Sequence, residues 1–128
     1  MIGSVLPDEE NGPAAARTIR RVARDGATAP ALWPLEVVNV LLKAGRQRRL
    51  APERCRTAIG LVQGLPVAVE ASPGWAELDA AAQLARKHRM SLYDATYVRP
   101  ALVRGLPLAT FDLPMRGAAE AERVTLLD

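Results

Sequence analysis

Ser91-Leu92-Tyr93-Asp94-Ala95-Thr96-Tyr97 and Leu106-Pro107-Leu108-Ala109-Thr110-Phe111-Asp112-Leu113-Pro114 decide how this chain is read. In the first stretch a serine stands three residues ahead of an acid, a helix-start pattern, and the helix it opens is expected to stop at Gly105. In the second, Leu106 to Thr110 reads as a buried strand. Asp112 and Pro114 then start a short helix, Leu113 to Ala121. Helix, strand and helix in close succession are the unit of a parallel sheet covered by helices. The same unit sets one carboxylate in the first turn of a helix and another just past the end of the next strand.

The pattern continues in both directions. Pro13 opens a helix through Ile19, Val22 and Ala23 that ends at Asp25-Gly26. Ala27 to Leu32 reads as a short buried strand. Pro34 begins a helix with a wide apolar stripe of Leu35, Val38, Leu41 and Leu42. Pro52-Glu53 begins another, ending near Gly64, and Val67 to Glu70 is a short strand. Ser72-Pro73 introduces a helix whose apolar face is Trp75, Leu78, Ala82 and Ala85. Val124 to Leu127 is a last strand. The fold class is α/β with a central parallel sheet, and residues 1–128 form a single domain without repeats or linkers.

The chain has 128 residues, of which 49% are hydrophobic but only 4% aromatic. Its core is therefore expected to rest on Leu, Val and Ala, with Trp33 and Trp75 as the large pieces. Cys55 is the single cysteine, which excludes an internal disulfide and suits a reducing compartment. Met1 to Glu10 lacks the basic start and apolar run of a signal peptide. The most apolar window, Pro30 to Leu42, contains Glu36 and Asn39 and is too short to span a bilayer. A soluble, cytoplasmic protein with no membrane association is expected. The net charge of +3 is modest, but Arg17, Arg20, Arg21 and Arg24 cluster, as do Arg46, Arg48, Arg49, Arg54 and Arg56. Such clusters suit phosphate neutralisation on nucleic acid, an acidic protein partner, or simply solvated helix faces.

In a parallel sheet, functional groups gather beyond the carboxyl ends of the strands. Glu36, Asp94 and Asp112 are all expected there, on one rim. Three hard-oxygen donors meet the needs of Mg²⁺, which keeps several waters and takes a few carboxylates. Each acid also has a purely structural reading. Ser91 and Asp94 match a capping box, Asp112 an N-cap, and Glu36 an acid favoured by the helix dipole. Spacing alone leaves both readings open. His88 among cations, and Cys55 between Arg54 and Arg56, have no evident catalytic partner, and Tyr93 and Tyr97 read as packing.

From Leu6 onward the chain resembles the PIN-domain family, in particular the VapC-type toxins of bacterial toxin–antitoxin pairs. The matching segments are Leu6-Pro7-Asp8-Glu9-Glu10-Asn11, Ala31 to Leu41, Ser91 to Tyr97, and Arg104 to Asp112, in the family's order and approximate separation. The resemblance implies a three-layer α/β/α sandwich and Mg²⁺- or Mn²⁺-dependent cleavage of RNA. It further implies a homodimer and a VapB-like antitoxin partner that silences it. Glu36, Asp94 and Asp112 match the family's metal-binding acids, and Thr110 matches the small hydroxyl residue beside the last aspartate.

Two departures from the family pattern stand out. Its members begin with an apolar strand ending in Asp-Ala-Ser, whereas Met1-Ile2-Gly3-Ser4-Val5 runs straight into Leu6-Pro7. The first strand is therefore expected to be a stub, with Gly3 or Ser4 where the first aspartate belongs and Asp8 as the nearest replacement acid. Pro100 lies where the family prefers a helix former, and a bend is expected at Arg99-Pro100. These departures set a catalytically inactive relative that still binds antitoxin or RNA beside the active nuclease. A metal-dependent phosphatase of small phosphomonoesters is a third reading.

Overall fold

The computed structural model describes residues 2–3, 12–47 and 50–127. Prolines and glycines set its punctuation. α1 (Gly12–Asp25) stops at Gly26, whose φ of +76° is a conformation that glycine adopts without a Cβ clash. α2 (Trp33–Arg46) and α3 (Pro52–Gln63) each carry proline at the start, where a missing N–H costs nothing. α4 (Trp75–His88) ends on Arg89 in the left-handed region, and α5 (Leu92–Arg104) ends on Gly105 at φ +66°. α6 (Leu113–Ala121) begins directly after Asp112.

Between these helices run β1 (Ile2–Gly3), β2 (Ala27–Ala29), β3 (Val67–Val69) and β4 (Leu108–Ala109). All pair in parallel, in the order β3-β2-β1-β4. Ile2 pairs with Thr28 on one side and Leu108 on the other, so β1 lies between β2 and β4. Ser4, Val5 and Asp8 lie outside the described residues.

The main core is formed by Leu84, Tyr97, Val98, Ala101, Leu108, Met115, Ala119 and Val124, with Trp33 and Leu126 packed against it. α5 contributes Tyr97, Val98 and Ala101 and packs on α4, α6, β1 and β4. It is the element through which the sheet and the outer helices are joined. Small residues dominate the α4–α5 contact, where Ala81, Ala85 and Ala95 meet and let the helices approach closely.

Several sequence expectations are corrected. Trp75 is 85% exposed and is no core piece; α4 instead buries Ala81, Leu84 and Ala85. Trp75 begins the helix, six residues ahead of Ala81, the first residue that α4 buries. β2 ends at Ala29 rather than Leu32, because Pro30 has no N–H to continue the ladder. The chain turns there, with Trp33 N–H donating to Pro30 O. β4 is confined to Leu108–Ala109. The last strand is reduced to a parallel bridge at Leu126, where Leu108 N–H donates to Thr125 O and Leu127 N–H to Leu108 O.

Pro100 lies within α5, which runs without a break from Leu92 to Arg104. A proline there removes the hydrogen bond that its N–H would give to Thr96 O. Pro100→Ala should therefore raise stability by about 1–2 kcal/mol, after allowing for the greater freedom of the unfolded chain. Urea unfolding checks this, and a lowered midpoint would show that the helix depends on the proline.

Candidate functional site

The acids predicted to converge are placed by three helix starts. Pro34 fixes the entry to α2, and Glu36 stands in its first turn, after the carboxyl end of β2. Ser91 caps α5, its Oγ accepting the Asp94 N–H at 3.1 Å. Asp112 caps α6 just beyond β4, accepting the Met115 N–H at 3.0 Å. The capping readings of Ser91 and Asp112 are thus correct. They leave carboxylate oxygen to spare, because a carboxylate offers about four lone-pair sites and these bonds use few of them.

Electrostatic coupling ties the acids together. The Asp94 carboxyl is pushed above its ordinary value, first by burial and then by the negative charge of Asp112, with the Ser91 hydrogen bond opposing. The Tyr97 hydroxyl donates a hydrogen bond to Glu36 Oε1. Its own ionisation is pushed up by burial, by that bond, and by the charges of Glu36 and Asp94. Asp94 therefore senses Asp112, and Tyr97 senses both Glu36 and Asp94. Like charges held in one half-buried place are costly unless a cation or a proton offsets them.

Thr110 and Arg116 stiffen the last corner. Thr110 is 2% exposed, and its Oγ1 accepts the Asp112 N–H at 3.1 Å. Arg116 Nη1 donates to Thr110 O at 2.9 Å. The family resemblance pointed to Thr110, but nothing in the residue pattern signalled Arg116. Sequence reasoning also read Tyr97 as packing. The available signal was its spacing, since residues three apart share a helix face and Tyr97 follows Asp94 by three.

The donor set is hard oxygen throughout, and the repulsion between Asp94 and Asp112 is what a divalent ion relieves. Mg²⁺ is commonly held by one or two carboxylates with water completing the shell, so this pair fits a hydrated ion. Among the described residues, no group of three or more His, Cys, Asp or Glu stands close enough to form a full protein cage. β1 ends on Gly3, which brings no carboxylate to the rim, and Asp8 lies outside the described residues.

The other polar candidates are occupied elsewhere. His88 Nε2 lies 2.8 Å from Glu122 Oε1, which also accepts from Lys87 Nζ at 2.8 Å. These bonds pull the Glu122 carboxyl below its ordinary range and tie α4 to the end of α6. Cys55 is half-buried on α3. Arg21 and Arg24 pair with Asp25 on an exposed helix face. Arg99 pairs with Glu77, and Arg104 with Glu70, around a cavity of about 250 Å³ that Thr96 also lines. No helix among the described residues is long and apolar enough to cross a membrane.

The PIN-domain family model matches residues 2–121. Among solved structures, the crystal structure of PAE2754 from Pyrobaculum aerophilum matches with a TM-score of 0.69 and 21% sequence identity. The match covers 91% of this chain and 83% of that one, a likeness of fold. No curated protein matches the sequence.

The raised Asp94 carboxyl has a consequence for the metal-free protein. A carboxyl whose folded value lies above the unfolded one binds more protons when folded, so stability falls as pH rises through that window. The penalty is absent below the ordinary value of 3.8 and fully present above the folded one. Asp94→Asn should therefore be at least as stable as the parent at pH 7 in EDTA, and should lose any advantage below about pH 4. Thermal melts across this range check the sign; a variant clearly less stable at pH 7 would contradict it.

Proposed function

We propose that this chain, which belongs to the PIN-domain family of generally nucleolytic proteins, is a VapC-type endoribonuclease dependent on Mg²⁺ or Mn²⁺. The single observation that carries this reading is the Asp94–Asp112 coupling: two carboxylates at helix starts, close enough for one to raise the other. A structural role for each alone gives no reason to bring them together. The family membership supplies the reaction class, and a parallel sheet with six helices among the described residues is compatible with the three-layer α/β/α arrangement proposed with it.

In this reading Asp94 and Asp112 would hold the hydrated ion as a pair, and Glu36, the third acid that the family resemblance names, would act on it through the ion's water shell. A divalent ion there supplies an activated water and offsets charge developing on the phosphodiester oxygens. The side chains around it hold the site in shape. Ser91 and the first turn of α5 fix Asp94, while Met115 N–H takes up one oxygen of Asp112. Thr110, anchored by Arg116, orients the Asp112 backbone. Arginines near the rim grip phosphates, a sequence-independent contribution that weakens with salt. The partners proposed with this reading are an RNA substrate, a second copy of the chain and a VapB-like antitoxin, in the cytoplasm.

One observation favours a second reading, a catalytically inactive relative that retains antitoxin or RNA binding. The carboxyl end of β1 carries Gly3 in place of an acid, and the described carboxylates form no cage of three. Incubation with structured RNA and Mn²⁺ separates the two. Cleavage by the parent and a loss of about a hundredfold or more in Asp94→Asn is the expected result, since removing a group that acts in the transition state costs that much. Equal silence from two folded proteins would favour the inactive relative.

A further inference from the structure

We infer that the cavity lined by α5 and by the residues that follow β2 and β3 takes one unpaired base of an RNA strand, and that guanine is the base it fits. The inference rests on the ribonuclease reading above for the strand, and adds to it a place where sequence is read.

The cavity stands at the carboxyl edge of the sheet, where ligands of parallel sheets collect. Pro30 follows β2 and Glu70 follows β3, and the Glu70 N–H donates to Ala29 O at 2.9 Å, which holds the two turns together. The opposite wall is α5, with Thr96, Arg99, Pro100, Val103 and Arg104. At about 1.5 Å of rise per residue, Thr96 lies about 3 Å along the helix from Asp94, and Arg104 about 15 Å. One helix therefore carries both the acid and the cavity wall.

Size and chemistry select the ligand. A volume of about 250 Å³ falls below the roughly 300–1,000 Å³ of sites for drug-sized molecules, so it suits a single ring system rather than a peptide segment. Pro30, Ala71, Pro73, Pro100 and Val103 give it apolar walls for a flat ring. Its charged groups come as two pairs, Arg99 with Glu77 at 3.3 Å and Arg104 with Glu70. Each pair cancels in charge, so a free phosphate gains little there. A neutral base with donors and acceptors can engage both members of a pair. Guanine offers both kinds side by side: O6 and N7 accept from a guanidinium, and the N1 imino and N2 amino groups donate to a carboxylate. Unpaired RNA bases are commonly read on such edges.

Partly exposed ion pairs that join α5 to α4 and to the end of β3 also serve as simple clips. The two roles differ in what they predict. A clip alters the melting temperature and gives a nucleoside nothing to bind.

The test is a titration of ¹⁵N-labelled protein with guanosine, adenosine, cytidine and uridine, which carry no phosphate. Guanosine should shift the Thr96, Arg99 and Val103 amides saturably, and should bind about fivefold or more tighter than the other three. Glu70→Gln should weaken guanosine by about 10-fold. Val103→Trp, at a position 60% exposed, should obstruct the cavity and abolish the shifts while the circular dichroism spectrum is kept. No saturable shift in the parent, four nucleosides binding alike, displacement of guanosine by ribose 5-phosphate, or unchanged affinity in both folded variants would each overturn the inference. Mn²⁺ titration of the same samples reads the acidic rim separately. Guanosine binding without Mn²⁺ binding would sink the metal centre and keep the base site, and the reverse result would do the opposite.

Discussion

Mutual repulsion of carboxylates at the starts of helices is the constraint from which the rest of this structure follows. An acid in a first turn is favoured by the helix dipole and by free N–H groups, so Glu36, Asp94 and Asp112 are each comfortable alone. The fold then brings Asp94 within the field of Asp112. β2 and β4 run in parallel and deliver α2 and α6 to the same edge, while α5 brings Asp94 beside Asp112. What suits each helix separately becomes a concentration of negative charge, which in the proposed reading a cation would offset.

Keeping that charge in place requires a stiff support, and α5 provides it. Its inner face, Tyr97, Val98 and Ala101, lies in the main core, and Ala95 is buried against α4. Asp94 therefore cannot retreat from Asp112 without disturbing the centre of the molecule. Pro100, in the same helix, weakens its hydrogen bonding without interrupting it. The α2–α3 pair divides its burial unequally: α2 buries Val37 and Leu41, whereas α3 buries no residue fully, and a cavity of about 480 Å³ is lined by both helices. The hydroxyl of Tyr97 links α5 to Glu36 on α2.

Much of this was legible from residue order. Proline at helix starts, glycine at Gly26 and Gly105, and the Ser91–Asp94 pair mark boundaries through local backbone chemistry, and α6 runs over the expected residues. Strand lengths were less legible, because Pro30 and the brevity of β4 act through pairing partners that a single segment does not show. Trp75 was misread for a related reason. Helical periodicity gives a face but not which turn of it meets a neighbour, and Trp75 stands at the exposed start of α4, ahead of the residues that it buries. The positions of Glu36, Asp94 and Asp112 at helix starts were readable because helix starts are marked by proline, serine and acid in the local sequence, whereas Thr110 was pointed to only by the family resemblance. The hydrogen bond from Tyr97 to Glu36 joins residues 61 positions apart, and local pattern carries no trace of it.

The most direct test of the acidic rim as a metal centre is the binding of Mn²⁺ itself, followed by electron paramagnetic resonance of the free ion. The parent is predicted to show saturable loss of the free-ion signal. Asp94→Asn and Asp112→Asn, both folded, are each predicted to lose it, because the pair shares one ion. Saturable binding that survives both substitutions would place the metal elsewhere and return these acids to the role of helix caps.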